Sequence, residues 1–280
     1  LFPDIAIFLN FTSDHLERHG GLGGYFNSKA RLFYNGMPKY SIIGVDQPEG
    51  RYLAHNLENN LKMDTTVIQI SSKKIITKSN WSISLINNNI VEKRNGTVIF
   101  RSNISNFVNL PGDHNLINAC MAYMTCKLIQ KDPISILNNM KSFKGLPHRA
   151  AFVRKINEVT FINDSKATNM DSALKSISAY DRIRWIVGGQ KKEGDKLNLQ
   201  PYEKKIIKIY LIGSSAVELS ELFKSMSYSI CINLEKAVQE AYKESEPGDT
   251  ILLAPGCASF DQFENFEKRG EKFCELVNFI

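Results

Sequence analysis

The sequence predicts an α/β protein with two domains, and three observations support this prediction. The chain has 280 residues, which is enough for about two domains of ordinary size. In its second half, strand patterns alternate with amphipathic helices, which is typical of a mostly parallel sheet covered on both faces. Gly145-Leu146-Pro147 interrupts these patterns, because glycine and proline break regular structure. We therefore place a domain boundary between residues 1–146 and residues 147–280.

The first domain is predicted to begin with regular elements at these positions: a strand at 5–9, a helix at 25–32 and a strand at 40–44. Residues 66–108 are rich in β-branched residues and asparagine turns, so we expect a meander of short antiparallel strands. Apolar residues at helical spacing predict two further helices, over 114–130 and 134–141.

The second domain is predicted to begin with a hairpin over 152–163. The elements expected after it are helices at 171–180, 216–224, 234–244 and 262–279, and strands at 183–187, 206–212, 228–232 and 250–253. Ligands of such sheets bind at the carboxyl ends of the strands. The loops at 163–169, 188–192 and 254–259 are therefore where we expect a site.

Composition excludes several classes of protein. Hydrophobic residues make up 43% and charged residues 23%, which excludes a disordered or collagen-like chain. No apolar run approaches the roughly 20 residues of a membrane helix, and the chain starts without a signal peptide, so we expect a soluble protein. It also starts at Leu1, inside a secondary-structure unit, which indicates a piece of a longer polypeptide. The net charge is +6, but the basic residues form no block like that of a nucleic-acid arm. The positive charge is compatible with a polyanionic small substrate.

The cysteines indicate a reducing compartment. The five of them are scattered and form no CxxC pair, so a disulfide framework or a zinc site is not expected. Cys257 has no evident paired base in the sequence, which disfavours a nucleophilic role.

The loop at 163–169 combines a carboxylate, an ammonium group, hydroxyls and the free N–H groups of a helix start. Lys166 and the helix start both favour a phosphorylated or carboxylated ligand, and Asp164 can accept hydrogen bonds from a ribose. A strand-to-helix turn in which Ser, Thr and Asn only cap the helix explains the same residues.

The other two loops allow similar pairs of interpretations. Gly188-Gly189 lets the backbone approach a ligand beside Lys191 and Lys192, or it is a glycine turn with solvated lysines. Ser259 either binds an anion or caps the last helix.

Three candidate positions lie in the first domain or at the boundary. Asp14-His15 follows the first strand and suits either a metal site or a hydrogen-bonded loop. Asn115 lies at the start of a helix, which it can simply cap. Arg149, at the boundary, either binds a phosphate or decorates a linker.

Taken together, seven segments resemble the Mur ligases, the ATP-dependent enzymes that form peptide bonds in peptidoglycan precursor synthesis. In chain order they are TSDH, YxxxKARLF, PGDHNxxNA, GLPHR, NDSKATN, GG-x-KK and CASFDQFENFEKRG. The resemblance covers essentially the whole chain, and its last and fifth segments look like those of the D-glutamate-adding member.

This resemblance implies the identity of the two domains. Residues 1–146 would be a partial central ATPase domain of the P-loop type, and residues 147–280 a Rossmann-like C-terminal domain that binds the incoming amino acid. The family's P-loop, of the form GxxGK[ST], is not found in these 280 residues, so we expect the chain to be inactive alone.

The resemblance also implies a reaction. UDP-N-acetylmuramoyl-L-alanine would be activated by ATP and Mg²⁺ to an acyl phosphate, which the amine of D-glutamate then attacks. From the cysteine usage, the charge pattern and the lack of a long apolar run, we expect a cytoplasmic protein without a nucleic-acid partner or membrane insertion, and we expect it to be a monomer.

The residues carried over by this resemblance fall into three groups. They are His15 and carbamylated Lys29 for Mg²⁺ and catalysis; Asn115, Arg149, Asp164 and the also catalytic Lys166 for ATP; and Thr168, Lys192, Ser259 and the Phe266 backbone for D-glutamate.

Two alternatives remain open from the sequence. A sister Mur ligase or a folylpolyglutamate synthase shares the HN and HR elements but differs in the segment occupied here by DSKATN. A non-catalytic module that binds an amino acid or a nucleotide would explain the absence of a P-loop motif.

Overall fold

The structure, a computed structural model, describes residues 2–11, 16–60, 64–105, 113–191 and 199–280, without the side chains of residues 16, 17, 113 and 114. The chain divides into two compact units, Leu1–Phe143 and Lys144–Ile280. No helix within the described ranges is long and apolar enough to cross a membrane. Each unit is an α/β structure built around a six-stranded sheet, in agreement with the predicted fold class.

The first unit carries eleven of the described helices and strands. They are β1 (Ile5–Phe8), α1 (Leu16–His19), α2 (Leu22–Tyr34), β2 (Tyr40–Gly44), α3 (Pro48–Asn59), β3 (Thr66–Ser71), β4 (Trp81–Ile86), β5 (Asn89–Arg94), β6 (Thr97–Asn103), α4 (Asp113–Leu128) and α5 (Pro133–Lys141). The strand order is β1-β2-β3-β4-β5-β6. β1 to β4 are parallel, and β4, β5 and β6 are antiparallel.

The predicted antiparallel meander over 66–108 is therefore wrong for its first strand. β3 pairs in parallel with both β2 and β4. A parallel pair needs a crossover connection, and between β2 and β3 this connection is α3, which the sequence reasoning did not identify. Its signals were Pro48 in the first turn and buried Leu53 and Leu57 one helical turn apart.

Helices cover both faces of the first sheet. Phe33 of α2 and Leu53 of α3 pack in one core with Ile43. Met124 of α4 lies in a different core, with Ile42. Adjacent residues of a strand point to opposite faces, so α2 and α3 lie on one face of the sheet and α4 on the other.

The second unit carries the remaining elements. They are β7 (Ala151–Ile156), β8 (Val159–Asn163), α6 (Met170–Ser178), β9 (Ile183–Gly188), a 3-10 turn (Glu203–Lys205), β10 (Ile206–Ile212), α7 (Ala216–Leu222), β11 (Tyr228–Ile232), α8 (Leu234–Lys243), β12 (Thr250–Leu253) and α9 (Phe266–Asn278). The strand order is β11-β10-β9-β12-β8-β7. All neighbours are parallel except β7, which forms the predicted hairpin with β8.

The two faces of the second sheet are covered by different helices. Trp185 of β9 packs against Phe223, the residue that follows α7, with ring centroids 5.4 Å apart. The next residue of the strand, Ile186, lies in the core that contains Phe273 of α9. The last helix begins later than the predicted residue 262, because the side chain of Asn265 caps α9 by accepting a hydrogen bond from the Lys268 amide at 2.8 Å.

Candidate functional site

The loops that follow β8, β9 and β12 meet at one edge of the second sheet, because these strands are parallel neighbours. We call this the carboxyl edge, and it comprises residues 163–169, 188–191 and 254–266. The Gly188 amide donates to the Pro255 carbonyl at 2.9 Å. Gln190 and Ala258 exchange backbone hydrogen bonds of 2.9 and 3.0 Å. Backbone hydrogen bonds therefore join the loop after β9 to the loop after β12.

Gly188, the last residue of β9, and Gly189 let the loops after β9 and β12 pack closely. Gly188 and Gly189 have φ angles of +129° and +131°. A Cβ added at Gly189 would lie 2.3 Å from the Ala258 carbonyl oxygen. The close approach that glycine allows here is thus between backbone segments of the protein itself.

Asp164 is held by hydrogen bonds from its own unit. Its carboxylate accepts from the Ala150 amide at 3.2 Å and from the Ser176 hydroxyl. Burial raises the pKa of this carboxyl group, although these bonds and the nearby charge of exposed Arg149 oppose the rise. The aspartate is therefore fixed in place with a desolvated carboxyl group, as expected of a ligand-binding side chain.

The ammonium group of Lys166 lies at the carboxyl edge, beside an aromatic ring. Its Nζ lies 3.9 Å from the centroid of the Phe266 ring, and it forms no ion pair with any residue in the described ranges. Its backbone amide donates to the His148 carbonyl at 3.0 Å. The ring orients the cation without neutralising it, so the charge remains available to an anion.

The side chain of Ser259 is buried, with a relative exposure of 2%. Its hydroxyl forms no hydrogen bond to another described residue, and its carbonyl accepts from the amides of Gln262 and Phe263 at 3.1 and 2.8 Å. Because Asn265 caps α9, the interpretation of Ser259 as the side-chain cap of that helix is wrong. A buried hydroxyl without a partner is compatible with the anion-binding interpretation.

Thr168 lies at the same edge, half-buried, with its amide 2.8 Å from the Lys166 carbonyl. The adjacent Asn169 caps α6, since its side chain accepts from the Ser172 amide at 2.8 Å. The residue of this loop that caps the helix is therefore Asn169 and not Thr168. Lys192, the other predicted D-glutamate residue, lies outside the described residues.

The sequence reasoning missed Arg269, although it lies in the last quoted segment. Its side chain is 1% exposed and donates to Ser165 Oγ and O at 3.0 Å. It also donates to the Cys257 carbonyl at 3.1 and 3.2 Å. Burial lowers the pKa of Arg269 to about 10, so it is charged at neutral pH. The only sequence signal was an arginine in a motif to which no role had been assigned.

In the first unit, Lys29 lies on α2 with its ammonium group 4.9 Å from the Tyr25 ring centroid. His15, the other predicted magnesium ligand, lies outside the described residues. Within the described ranges, no group of three or more His, Cys, Asp or Glu side chains is arranged to hold a metal ion. The magnesium site thus stays a prediction.

Asn115 lies in the first turn of α4, and it lines a cavity of about 680 Å³ between α4 and α5. The walls are mostly apolar and include Ala119 and Met140. A cavity of this size accommodates a small organic ligand. Asn115 and Lys29 belong to helices on opposite faces of the first sheet.

Two family models match the chain. Residues 1–126 match the Mur ligase middle domain, and residues 148–257 match the glutamate ligase domain of Mur ligases. Two curated relatives are 46% and 47% identical over 277 residues. Both are named UDP-N-acetylmuramoylalanine--D-glutamate ligase, one from Cereibacter sphaeroides and one from Dinoroseobacter shibae. The matches cover 99% of this chain but 59% of each relative, of which this chain corresponds to the C-terminal part.

Solved structures share the fold at low sequence identity. A pseudomurein peptide ligase type C from Methanothermus fervidus gives a TM-score of 0.67 at 14% identity, over 99% of this chain and 63% of the other. UDP-N-acetylmuramate-alanine ligase MurC from Thermotoga maritima gives 0.65 at 15% identity, over 99% of this chain and 60% of the other. These structures support the architecture of both units.

Proposed function

The chain belongs to the Mur ligase family, and we propose that it forms the C-terminal three fifths of an ATP-dependent ligase that adds D-glutamate to UDP-N-acetylmuramoyl-L-alanine. In this proposal residues 1–146 belong to the ATPase domain and residues 147–280 bind the amino acid. The observation that carries it is the carboxyl edge, where Lys166 and Arg269 are cations without an ion-pair partner among the described residues. The carboxylates of D-glutamate and the phosphates of ATP would supply the missing negative charge, and the names of the relatives agree with D-glutamate as a substrate.

We assign the two carboxylates of D-glutamate to hydroxyl, amide and ammonium groups of the second unit. Thr168 and Ser259 lie in two loops of the carboxyl edge, and the Phe266 amide begins α9, where the helix dipole favours an anion. Lys192 is assigned to the same substrate on the family resemblance alone. These groups orient the substrate so that its amine stays free to react.

For ATP, we propose four contact residues on the family resemblance. Asn115 would contact the adenine, and Arg149, Asp164 and Lys166 the ribose and phosphates. Lys166 is suited to stabilise charge that develops on a transferred phosphoryl group, because its ammonium lacks a counter-ion in the described structure. His15 would help to hold one Mg²⁺ ion and carbamylated Lys29 a second, and these ions would supply further charge stabilisation.

The proposed reaction has two steps. The alanyl carboxylate attacks the γ-phosphorus of ATP, ADP leaves, and an acyl phosphate forms. The amine of D-glutamate attacks the acyl carbon to give a tetrahedral intermediate, the nitrogen loses a proton to solvent, and phosphate leaves as the amide bond forms. We place the reaction in the cytoplasm, in a monomeric protein that makes precursors of peptidoglycan.

The decisive experiment measures phosphate release by the full-length protein, which extends this chain upstream as in its relatives. With ATP, Mg²⁺ and UDP-N-acetylmuramoyl-L-alanine present, we expect release only when D-glutamate is added. L-Glutamate and D-glutamine are the controls for stereochemistry and for side-chain charge. Strict dependence on a different amino acid would refute the proposal in favour of a sister ligase. Binding of D-glutamate without any phosphate release would favour the non-catalytic module.

Replacing Lys29 tests the proposed carbamate. We expect Lys29→Ala in the full-length protein to abolish ligation, since it removes the group that would hold the metal as a carboxylate-like ligand. Short carboxylic acids added to the assay should restore part of the rate. Full activity of Lys29→Ala would exclude the carbamate.

Replacing Lys192 tests the assignment of the substrate carboxylate. We expect Lys192→Ala to raise KM for D-glutamate by at least about tenfold, because a charged partner of the substrate is lost. KM for ATP should change much less. Equal increases in both constants would place Lys192 elsewhere.

A further inference from the structure

We propose that Arg269 is a positioning residue for the amino-acid site, which it assembles from separate loops and to which it supplies a buried positive charge. This inference rests on the proposed function and assigns a role to a residue outside the predicted substrate contacts. Its basis is the set of neutral hydrogen-bond acceptors around one buried guanidinium group at the carboxyl edge.

The guanidinium group connects the loops after β8 and β12. Nε and one terminal nitrogen donate to Ser165 Oγ and O, and both terminal nitrogens donate to the Cys257 carbonyl. The Ser165 hydroxyl in turn donates to the Phe266 carbonyl at 2.8 Å, which ties the start of α9 to the same loop. Lys166, which follows Ser165 in the chain, and Phe266 itself are among the residues proposed to contact ligands.

The loop after β9 also lies against Arg269. A Cβ added at Gly189 would be 3.2 Å from its Nη1 atom and 3.3 Å from Cys257 Cβ. The guanidinium group is therefore positioned beneath all three loops. Its planar fork of donors lets one side chain hold backbone groups of two loops at once, which an ammonium group on a flexible stem does less well.

The acceptors around Arg269 are all uncharged. Hydroxyl and carbonyl oxygens receive its hydrogen bonds, and within the described residues it has no ion-pair partner. The Cys257 thiol and the Asp261 carboxylate oppose the effect of burial on the pKa of Arg269, but Asp261 accepts a hydrogen bond from the Ser214 amide at 2.8 Å and forms no ion pair with Arg269 within the described residues. A buried charge without direct compensation is costly in a folded protein, unless a ligand of opposite charge binds nearby.

This arrangement predicts that Arg269 affects binding of the amino acid more than overall folding. Loss of the fork displaces Ser165 and Cys257, and with them the loops of Lys166 and Ser259. A displacement of about 1 Å in a substrate-orienting group can cost about 100-fold in rate. A purely structural arginine would lower stability without changing either KM.

The test compares Arg269→Lys with Arg184→Lys in the full-length protein. Both substitutions replace a buried guanidinium in the second unit, where the two arginines are 1% and 6% exposed, and keep the positive charge. We expect Arg269→Lys to raise KM for D-glutamate at least tenfold, and to raise KM for ATP as well, because Lys166 lies in one of the displaced loops. Arg184→Lys should change stability but neither constant. If Arg269→Lys does not fold, Ser165→Ala provides a second test. It removes one hydrogen-bond partner, retains the arginine, and should also raise KM for D-glutamate.

The outcomes separate this inference from the proposed function. If the wild-type protein shows no D-glutamate-dependent phosphate release, the proposed function is wrong. If the wild type is D-glutamate-dependent and Arg269→Lys changes only the unfolding temperature, or changes KM no more than Arg184→Lys does, the positioning role is wrong. Unchanged KM in Ser165→Ala would contradict the role in the same way.

Discussion

The two ends of the strands in the second sheet each hold a buried arginine, but they differ in how its charge is compensated. At the amino edge, Arg184 Nε lies 2.7 Å from a carboxylate oxygen of buried Asp249. The second oxygen of Asp249 binds Arg182 at 2.9 Å. At the carboxyl edge, Arg269 binds neutral oxygens alone among the described residues.

The pKa values of the two arginines move in opposite directions. Burial by itself lowers the pKa of Arg184, but hydrogen bonds with Asp249 and Tyr210 raise it above its ordinary value. For Arg269 burial dominates and lowers the pKa to about 10. Similar burial therefore has different consequences: one edge is neutralised internally, and the other keeps a positive charge that a ligand can use.

The largest effect is expected from breaking the amino edge. Asp249→Ala removes the buried carboxylate partner of Arg184 and leaves only the longer ion pair with exposed Glu244, at 3.7 Å, so it should lower the unfolding free energy by about 3–5 kcal/mol. Urea denaturation measures this loss. KM for D-glutamate should not change in the folded protein, because this edge holds no proposed ligand group. Glu246→Ala is the control, since this exposed partner of Arg182 should contribute little. A selective rise in KM would contradict the division between the edges.

An intermediate effect is expected at Gly213, which follows β10 with a φ of +75°. In Gly213→Ala the new Cβ would meet Asp261 Oδ2 at 2.3 Å and Gly189 Cα at 2.6 Å. We expect a loss of about 2–3 kcal/mol and a higher KM for D-glutamate, as the loops move apart. Gly96→Ala provides the control, because its φ is +80° with no atom within 4 Å of the added Cβ. It should cost only about 1 kcal/mol. Equal losses in both variants would show that strain, rather than loop contact, determines the effect.

The smallest change in stability is expected for Asp164→Asn. Burial raises the pKa of Asp164 above its ordinary 3.8, so ionising this carboxyl group costs stability as pH rises from about 4 through its folded-state pKa. The amide variant avoids this cost, so at neutral pH it should be as stable as the wild type or more stable. The difference should disappear near pH 3, where both side chains are uncharged. Thermal unfolding at several pH values measures it, while activity with ATP should fall. A variant that is less stable at pH 7 than at pH 3, relative to wild type, would mean that the charge stabilises the fold.

The sequence predicted most elements of the second unit because their patterns are local. The strands at 206–212, 228–232 and 250–253 have the predicted bounds. In the first unit, α3 was missed and β3 was assigned to the wrong kind of pairing. Whether a β-branched segment pairs in parallel depends on the crossover before it, which lies outside the segment itself.

For the candidate site, the sequence indicated the loops but not the roles within them. Lys166 and Ser259 stood out because their residue types can bind anions after a strand. Sequence alone left Ser259 as a cap or a ligand group, and only the tertiary structure, by placing Asn265 at the start of α9, removed the capping interpretation.

Residue order alone determined the alternation of strands and helices, and hence the edge at which chemically active loops meet. The segments shared with Mur ligases were likewise readable from the chain. Only the tertiary structure decided that Arg269 lies beneath those loops while Arg184 is neutralised by Asp249. The physical reason is that charge compensation depends on distance in space, and the partners concerned are 65 residues apart for Arg184 and 104 residues apart for Arg269 and Ser165.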